Sequence, residues 1–343
     1  MGVSELKIIE LLEKVGPQGI AQSEIYKILG LSKSWVSELL SSMERRGIIT
    51  RSKGPGKTLI VRLSRYGDPS ISRTLTIGLV PSVEYLSLPL LMKKVREWGY
   101  LVEPSIKRSV LEVAVSFIRG GYHLAYLPIY MLPLLKALGI GFKVIGSVAL
   151  GGASIIGRDF LNIRSIFSSM LSTMEILSVA YIRATRSITS HSEHRIRYYR
   201  DPDSVIESLA RDGEGIAMTW EPYSSIAEIR GLKKIPASDI LGEYHCCVLI
   251  ARDDIPSEII SKIRRAHISS IEELPHHIDS LFYSFSEMIG IPRTIIKKGY
   301  REYIFTHQID ANVLRNITRN AEGFLINSEL LEDIVRTNDT YQS

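Results

Sequence analysis

The apolar positions at the start of the chain repeat with the period of a helix. From Ile8 onward they recur at i, i+3, i+4 and i+7, which predicts an amphipathic helix that ends at Gly16. A second, shorter helix is predicted to end at Gly30, because glycine favours the C′ position. Ser32 then provides a good N-cap for a third helix, whose apolar stripe begins at Val36.

The pattern next changes to that of a β-hairpin. Alternating apolar positions predict strands at 48–52 and 58–63, joined by the tight loop KGPGK at 53–57. Between Arg45 and Arg65 the chain has seven basic residues and no acidic one, whereas its net charge is only +5. A local basic surface attracts polyanions far more strongly than the mean charge indicates, so the hairpin predicts a nucleic-acid contact.

This order of elements, together with the stretch LGLSKSWVSELLSSMERRGII, resembles the MarR-like family of winged-helix regulators over about 60 residues. The resemblance implies that residues 1–66 form a winged helix-turn-helix whose third helix enters the major groove of double-stranded DNA. The hairpin would lie along the DNA backbone or the minor groove. The alternative is a winged helix that contacts protein. The predicted DNA contacts are Ser32, Lys33, Ser34, Trp35, Ser37, Glu38, Arg51, Lys53 and Lys57.

These residues differ in their expected roles. The four basic side chains would neutralise phosphates, and Ser34, Ser37 and Glu38 could reach base edges. Small hydroxyl residues at a helix start let its backbone approach the groove, where the N-terminus favours phosphate. Trp35 has two interpretations, packing against the helix-turn-helix core or contact with a sugar or a thymine methyl group.

A polar segment, RYGDPSISR at 65–73, marks a domain boundary, and we place the linker at 67–73. Beyond it, strands and helices alternate. Strands joined through helices favour parallel pairing with right-handed crossovers, which predicts a doubly wound α/β sheet. The predicted strands are 75–80, 100–106, 123–127 and 142–150, and the predicted helices are 84–98, 109–119 and 129–138.

A second unit of the same kind follows, with predicted strands at 177–182, 195–199, 216–219 and 245–251. A short internal sequence repeat, the internal echo, supports two related lobes. The segment from Ser109 to Pro128 and the segment from Ser204 to Pro222 share a helix, a glycine break, a buried strand and a final proline. The predicted fold is therefore α/β and multidomain, with a two-lobed unit at 74–343 that ends in a helical tail.

The stretch IAMTWEPYSS at 216–225 predicts a strand that ends in a cluster of aromatic and acidic residues. Trp220, Glu221 and Tyr223 come directly after the strand at 216–219. In open α/β sheets ligands bind at the carboxyl ends of strands, so these side chains predict a pocket rim. The alternative is that Trp220 covers the sheet and packs on a helix.

The segments GIAMTWEPYSS and VLEVAVSFIRGGYHLAYLP resemble type II periplasmic substrate-binding proteins, in the branch of the nitrate, sulfonate, taurine and thiamine-pyrimidine-precursor binders. The resemblance implies two lobes that close on a ligand. The sequence departs from the family between 189 and 195, where a full helix is missing and the second lobe is trimmed. The residues that the resemblance assigns to the ligand are Ser82, Tyr85, Arg108, Ser109, Pro128, Arg186, Ser187, Thr189, Trp220, Glu221 and Tyr223.

Few residues suggest catalysis. The run His245-Cys246-Cys247 precedes an apolar strand, whose residues would alternate between faces, so it predicts a buried strand and no metal site. Two adjacent cysteines do not reproduce the cysteine-rich iron motif of the pyrimidine synthases of this fold. His191 and His194 have the i, i+3 spacing of a helix, which would suit a metal ion, but the sequence offers no evident third ligand. No phosphate loop or nucleophile elbow occurs, so we expect no enzyme, no cofactor and no metal.

The start of the chain lacks the layout of a signal peptide, and no apolar run is long enough for a membrane span, so a cytoplasmic location is expected. The sequence thus predicts a ligand-responsive, DNA-binding transcriptional regulator, acting as a homodimer. Its effector would be a small anion or a flat heterocycle. The alternatives are a cytoplasmic enzyme related to thiamine-pyrimidine synthases, and a small-molecule-binding module whose winged helix contacts protein.

Overall fold

The computed structural model describes residues 2–16, 19–53, 58–67, 73–160, 163, 165–185, 195–321 and 328–339. Within these ranges, none of the helices combines the length and the apolar character that crossing a membrane requires. Lys57, Arg186, Ser187 and Thr189 lie outside the described residues, and of Lys53 the structure describes only the backbone.

Helices and strands alternate along most of the described chain. The helices are α1 Val3–Val15, α2 Gln22–Leu29, α3 Lys33–Arg45, α4 Leu88–Glu97, α5 Val110–Ile118, α6 Leu132–Ala137, α7 Thr173–Thr185, α8 Pro202–Asp212, α9 Tyr223–Ile229, α10 Ser238–Leu241, α11 Ser257–Glu272, α12 Leu274–Ile289, α13 Arg293–Tyr300, α14 Ala311–Asn320 and α15 Ser328–Asp339. The strands are β1 Ile20–Ala21, β2 Ile49–Lys53, β3 Leu59–Leu63, β4 Thr74–Leu79, β5 Leu101–Ile106, β6 Leu124–Pro128, β7 Phe142–Ser147, β8 Ala149–Gly151, β9 Ala153–Gly157, β10 Ser165–Ser168, β11 Arg195–Tyr198, β12 Ile216–Trp220, β13 Lys233–Pro236, β14 Cys247–Arg252 and β15 Tyr303–Phe305.

The N-terminal unit packs α1, α2 and α3 against a small antiparallel sheet of order β1-β3-β2. Ser32 caps α3 as expected, since its Oγ accepts a hydrogen bond from the backbone N–H of Trp35 at 3.3 Å. Gly30 lies in the left-handed region at φ 64°, which ends α2. The hydrophobic core of this unit is separate from the large core of the rest of the chain.

Two five-stranded sheets form the two lobes. The first has the order β5-β4-β6-β14-β7, and the second has the order β11-β10-β12-β9-β13. In each, the central strand runs parallel to the second strand and antiparallel to the fourth. The segments of the internal echo, α5 with β6 and α8 with β12, occupy equivalent positions in the two sheets.

The expectation of purely parallel pairing is wrong for two strands, β9 and β14. Each of them follows a point where the chain crosses from one lobe to the other. It therefore enters its new sheet from the cleft end and runs against its neighbours. The antiparallel strands thus mark the two crossings between the lobes.

The predicted strand at 177–182 is also wrong, because these residues lie within helix α7. Nearly every side chain from Thr173 to Tyr181 is buried, so the sequence shows no one-sided apolar stripe that would distinguish the helix from a core strand. The strands predicted at 195–199, 216–219 and 245–251 are confirmed within one or two residues at each end.

The helical tail packs back onto the first lobe. Helix α11 lies on β7 and on α4, and α12 also contacts α4. An ion pair between Lys94 on α4 and Glu273 at the start of α12, at 2.8 Å, fixes this contact at its edge. Helix α14 packs instead on α7, so the tail contacts both lobes.

Candidate functional site between the two lobes

The two lobes touch where β4 and β12 end. The indole Nε1 of Trp220 donates a hydrogen bond to the carbonyl oxygen of Pro81 at 2.9 Å. The backbone N–H of Val83 donates to the carbonyl oxygen of Glu221 at 3.0 Å. These two bonds connect the segment after β4 in the first lobe to the end of β12 in the second, so the structure shows the lobes closed on each other.

A small cavity of about 20 Å³ lies beside this contact. That volume has room for roughly one water molecule or one ion. Side chains from both lobes and from the returning strand β14 surround it. The lining residues are Val80, Ser82, Glu84, Tyr85, Val110, Pro128, Ser172, Thr173, Met174, Trp220, Cys246 and Cys247.

The structure brings together part of the ligand site that the sequence predicted. Ser82, Tyr85, Pro128 and Trp220 line the cavity, and their role as ligand contacts stays a prediction. The indole of Trp220 also meets the ring of Tyr223 edge-on, with centroids 5.5 Å apart. Tyr223 therefore holds Trp220 in place without lining the cavity itself.

Two other predicted contacts, Arg108 and Ser109, do not line the cavity. Arg108 is exposed, and the Oγ of Ser109 caps helix α5 by accepting the backbone N–H of Glu112 at 3.2 Å. The assignment of residues 186, 187 and 189 assumed a loop after a strand at 177–182. Because that segment is helix, the equivalent loop of the second lobe is the one that follows β10 and contains Ser172.

The carboxylate of Glu221, another predicted ligand contact, does not line the cavity. It is fully buried and forms an ion pair with Lys234 at 2.6 Å, while the same ammonium group contacts Glu302 at 2.8 Å. The hydroxyl of Ser224 also donates to Glu221. A Cβ at Gly299 would lie 2.9 Å from the Glu221 side chain, so glycine is needed for this close approach.

Glu84 was not among the ligand contacts predicted from the sequence, although it lies in the same loop as Ser82 and Tyr85. Its side chain is 1% exposed, and one carboxyl oxygen accepts the backbone N–H of Cys247 at 2.9 Å. Burial raises the pKa of Glu84 to about 7. None of the lining residues within the described chain is basic, so this carboxyl group has no cationic neighbour in the cavity wall.

The two cysteines also face this cavity, which corrects the expectation of alternating faces. Strand β14 begins only at Cys247, so Cys246 lies in irregular backbone and both thiols reach the same space. Their Sγ atoms are 3.7 Å apart, and both are free thiols. The Tyr85 hydroxyl donates to the Sγ of Cys247 at 3.2 Å. Burial raises the pKa of the Cys247 thiol.

His245 is separated from this cluster. Its Nε2 accepts the backbone N–H of Asp310 at 2.8 Å, and its Nδ1 lies 3.0 Å from the Oγ of Ser147. Because Nε2 accepts, Nδ1 carries the proton and donates to Ser147. The imidazole therefore serves to anchor the tail to the first lobe.

Six of the nine predicted DNA-binding residues lie at the start of α3. Residues 32 to 35 and 38 are exposed, and Ser37 is half-buried. Trp35 is 48% exposed and is not part of the N-terminal hydrophobic core, which argues against the core-packing interpretation. The guanidinium of Arg51 is bound to Glu44, with Nε to oxygen at 2.9 Å, so a phosphate would have to compete with this carboxylate.

Comparisons with known proteins identify the fold of the larger unit. Residues 4–64 match a family described as Domain of unknown function (DUF7343). No curated protein matches the sequence. Among solved structures, the ligand-binding component of an ABC-type import system from Staphylococcus aureus, with zinc bound, is similar with a TM-score of 0.64 and 15% identity, over 77% of this chain and 99% of that one.

Two further structures agree. The periplasmic aliphatic sulphonate binding protein SsuA from Escherichia coli has a TM-score of 0.60 and 12% identity, covering 78% of this chain and 99% of that chain. The periplasmic nitrate-binding protein NrtA from Synechocystis PCC 6803 has a TM-score of 0.59 and 11% identity, covering 78% and 89%. At such identities the likeness shows the fold alone: the chain contains a two-lobed fold of the type II periplasmic-binding-protein kind.

Proposed function

We propose that the protein is a ligand-responsive DNA-binding regulator of transcription that acts in the cytoplasm as a homodimer. In this proposal residues 1–66 bind double-stranded DNA, and residues 74–343 bind a small ligand between their lobes. The observation that carries the proposal is the joining of two units in one chain. A unit with an exposed helix start and a basic hairpin is fused to a fold that in its relatives binds small ligands.

The N-terminal unit has the arrangement that a winged helix requires. Helix α3 follows α2 after a short glycine turn, and the β2–β3 hairpin follows α3, with β1 completing the sheet. The exposed start of α3 presents Ser32, Lys33 and Ser34 to solvent. Hydroxyl and ammonium groups at a helix N-terminus suit contacts with phosphates and base edges.

The lining of the cavity favours one kind of ligand over another. A small anion, one of the effectors expected from the sequence, would meet the buried carboxyl group of Glu84 without a basic side chain among the described lining residues. The cost of burying unpaired charge therefore favours a ligand that donates hydrogen bonds or carries positive charge. An amino-substituted heterocycle and a metal cation both satisfy this condition.

A series of contacts connects the cavity wall to Gly67, the first residue of the linker. Strand β6 begins directly after His123 and ends at Pro128, which lines the cavity. The Nδ1 of His123 accepts the backbone N–H of Thr76 at 3.0 Å, so Nε2 carries the proton and donates to the carbonyl oxygen of Gly67 at 2.8 Å. Movement of β6 on lobe closure would shift the linker, and a coupling free energy of about 1–3 kcal/mol would give a useful switch.

Replacing both wing lysines, Lys53→Ala and Lys57→Ala, tests the DNA-binding part of the proposal. The affinity for DNA should fall to a similar extent across sequences, because phosphate contacts carry no sequence information. The slope of log affinity against log salt concentration should decrease by about 1 for each lysine removed. Fluorescence anisotropy with labelled duplexes at several salt concentrations measures both quantities.

The matched control is the double variant Lys7→Ala and Lys136→Ala, which removes the same charge from exposed positions on α1 and α6. This control should keep the wild-type salt slope. If the wing variant and the control lose the same affinity and the same slope, the hairpin does not contact DNA and the proposal is wrong at this point.

A further inference from the structure

We propose that Glu84, Cys246 and Cys247 form a binding site for one thiophilic divalent metal ion, with zinc as the best fit. Within the described chain they are a group of three possible ligands whose donor atoms all lie within 4.8 Å of one another. The site lies in the cavity between the lobes. The role of the metal ion rests on the proposed function: the ion would be the effector itself, or it would bind the effector.

The spacing of the sulfur atoms matches tetrahedral coordination. Zinc binds thiolates at about 2.3 Å, and a tetrahedral angle between two such bonds separates the sulfurs by about 3.8 Å. The Sγ atoms of Cys246 and Cys247 are 3.7 Å apart. A donor oxygen of Glu84 lies within 4.8 Å of both sulfurs, so this carboxyl group would approach them to complete the three-ligand set.

The cavity has the size and polarity for an ion. Its volume of about 20 Å³ has room for one ion. Two thiolates and a carboxylate carry three negative charges, and a divalent cation offsets two of them. Soft thiolate ligands select zinc over magnesium or calcium, which prefer sites made of oxygen atoms alone.

Neighbouring groups already orient the ligands. The backbone N–H of Cys247 holds one oxygen of Glu84 at 2.9 Å, and the hydroxyl of Tyr85 donates to the Sγ of Cys247. The hydroxyl of Thr173, from the second lobe, donates to the carbonyl oxygen of Cys246 at 3.1 Å. Such outer contacts fix metal ligands in place, and the last one ties the site to lobe closure.

A disulfide between the two cysteines is a poorer explanation of their proximity. Adjacent residues joined by a trans peptide have Cα atoms about 3.8 Å apart, whereas disulfides favour about 4.4–6.8 Å. Coordination of a metal by both thiolates requires no such distortion.

Titration of the full-length, reduced, metal-free protein with Co²⁺ tests the site. We expect one equivalent to bind per chain, with thiolate-to-cobalt charge-transfer absorption that disappears when Zn²⁺ is added. Cys246→Ser and Cys247→Ser should each lose most of this absorption, since serine is similar in size but is not a thiolate donor. Glu84→Gln should weaken Zn²⁺ binding at least about tenfold in competition with a chromophoric chelator.

Glu175→Gln is the matched control, because it alters a buried glutamate of the second lobe that does not line the cavity, and it should bind Co²⁺ like the wild type. Circular dichroism checks that each variant is folded. Wild-type protein that shows no charge-transfer band at stoichiometric Co²⁺ would overturn the inference, as would an unchanged band in the doubly substituted Cys246→Ser, Cys247→Ser protein.

The DNA measurement is made separately on metal-free and Zn²⁺-loaded protein. One bound metal ion together with unchanged DNA affinity supports the metal site and contradicts the proposed regulation by this ligand. DNA binding that responds to another small molecule, in a protein that binds no Co²⁺, supports regulation and overturns the metal site.

Discussion

The two lobes share one sheet order but use the ends of their strands differently. In the first lobe, the segment after β4 carries Glu84 and Tyr85 to the cavity, and β14 starts there with the cysteines. In the second lobe, β12 ends in Trp220, and the carboxylate of Glu221 is occupied by Lys234. The first lobe therefore offers the ionisable groups to a ligand, whereas the second offers the hydroxyl residues Ser172 and Thr173 and the indole of Trp220, which covers the cavity and bonds to the first lobe.

Two buried glutamates show the same contrast. In the second lobe Glu175 accepts the backbone N–H of Leu171 at 2.7 Å and the hydroxyl of Tyr198, so its carboxylate is satisfied within its own lobe. In the first lobe Glu84 accepts a backbone N–H and otherwise faces thiols, and its raised pKa reflects this burial. A buried polar group that the fold itself leaves poorly compensated is the one available for a ligand.

The largest effect is expected from Lys234→Met, which leaves Glu221 buried without its cation. Removing one partner of a buried ion pair costs about 3–5 kcal/mol, so the free energy of unfolding should fall by that amount. Urea unfolding followed by tryptophan fluorescence measures it. The control is Arg230→Met, which breaks the exposed ion pair with Glu207 and should cost less than about 1 kcal/mol. Equal losses in both variants would show that Glu221 gains little from Lys234.

In metal-free protein, substitution of Glu175 and of Glu84 should lower the free energy of unfolding by different amounts. Glu175→Gln gives up hydrogen bonds to a charged acceptor and should cost about 1–3 kcal/mol of unfolding free energy. Glu84→Gln removes a carboxyl group that has no cationic partner among the lining residues, and stability should stay within about 1 kcal/mol of the wild type. Urea unfolding at pH 7 compares them. A greater loss for Glu84→Gln would mean that this carboxyl group has a structural role.

The sequence predicted the layout of the lobes better than the composition of the cavity. The echo between residues 109–128 and 204–222 identified equivalent helix–strand units, because buried strands next to glycine breaks leave a clear pattern. The apolar run at 216–219 also predicted that Trp220 lies at a strand end. The antiparallel crossings at β9 and β14 were missed, since the direction in which a strand enters a sheet depends on contacts distant in the sequence.

The cavity residues that the sequence did not reveal were missed for different reasons. Thr173 and Met174 begin a helix buried on nearly every side, which local pattern cannot distinguish from a strand, and Ser172 directly precedes this helix. Cys246 was assigned to a regular strand, although the strand starts one residue later and irregular backbone turns both thiols inward. Glu84 carried no signal beyond its place in a strand-end loop, because its burial is produced by β14 from the far end of the chain.

The smallest predicted effect concerns the hydrogen bond between Trp220 and Pro81, which we call the latch between the lobes. Trp220→Phe keeps an aromatic ring against Tyr223 but removes the indole N–H that donates to the carbonyl oxygen of Pro81. Loss of one such bond costs about 1 kcal/mol, so the closed arrangement should become about fivefold less favoured and ligand affinity should fall by a similar factor. Tyr223→Phe keeps the latch bond and serves as the control. Isothermal titration with Zn²⁺ reports the affinity, and an unchanged value for Trp220→Phe would show that closure does not depend on this bond. In that case the asymmetry between the lobes would lie in their polar groups alone, with Glu84 and the cysteines binding the ligand and the second lobe only covering it.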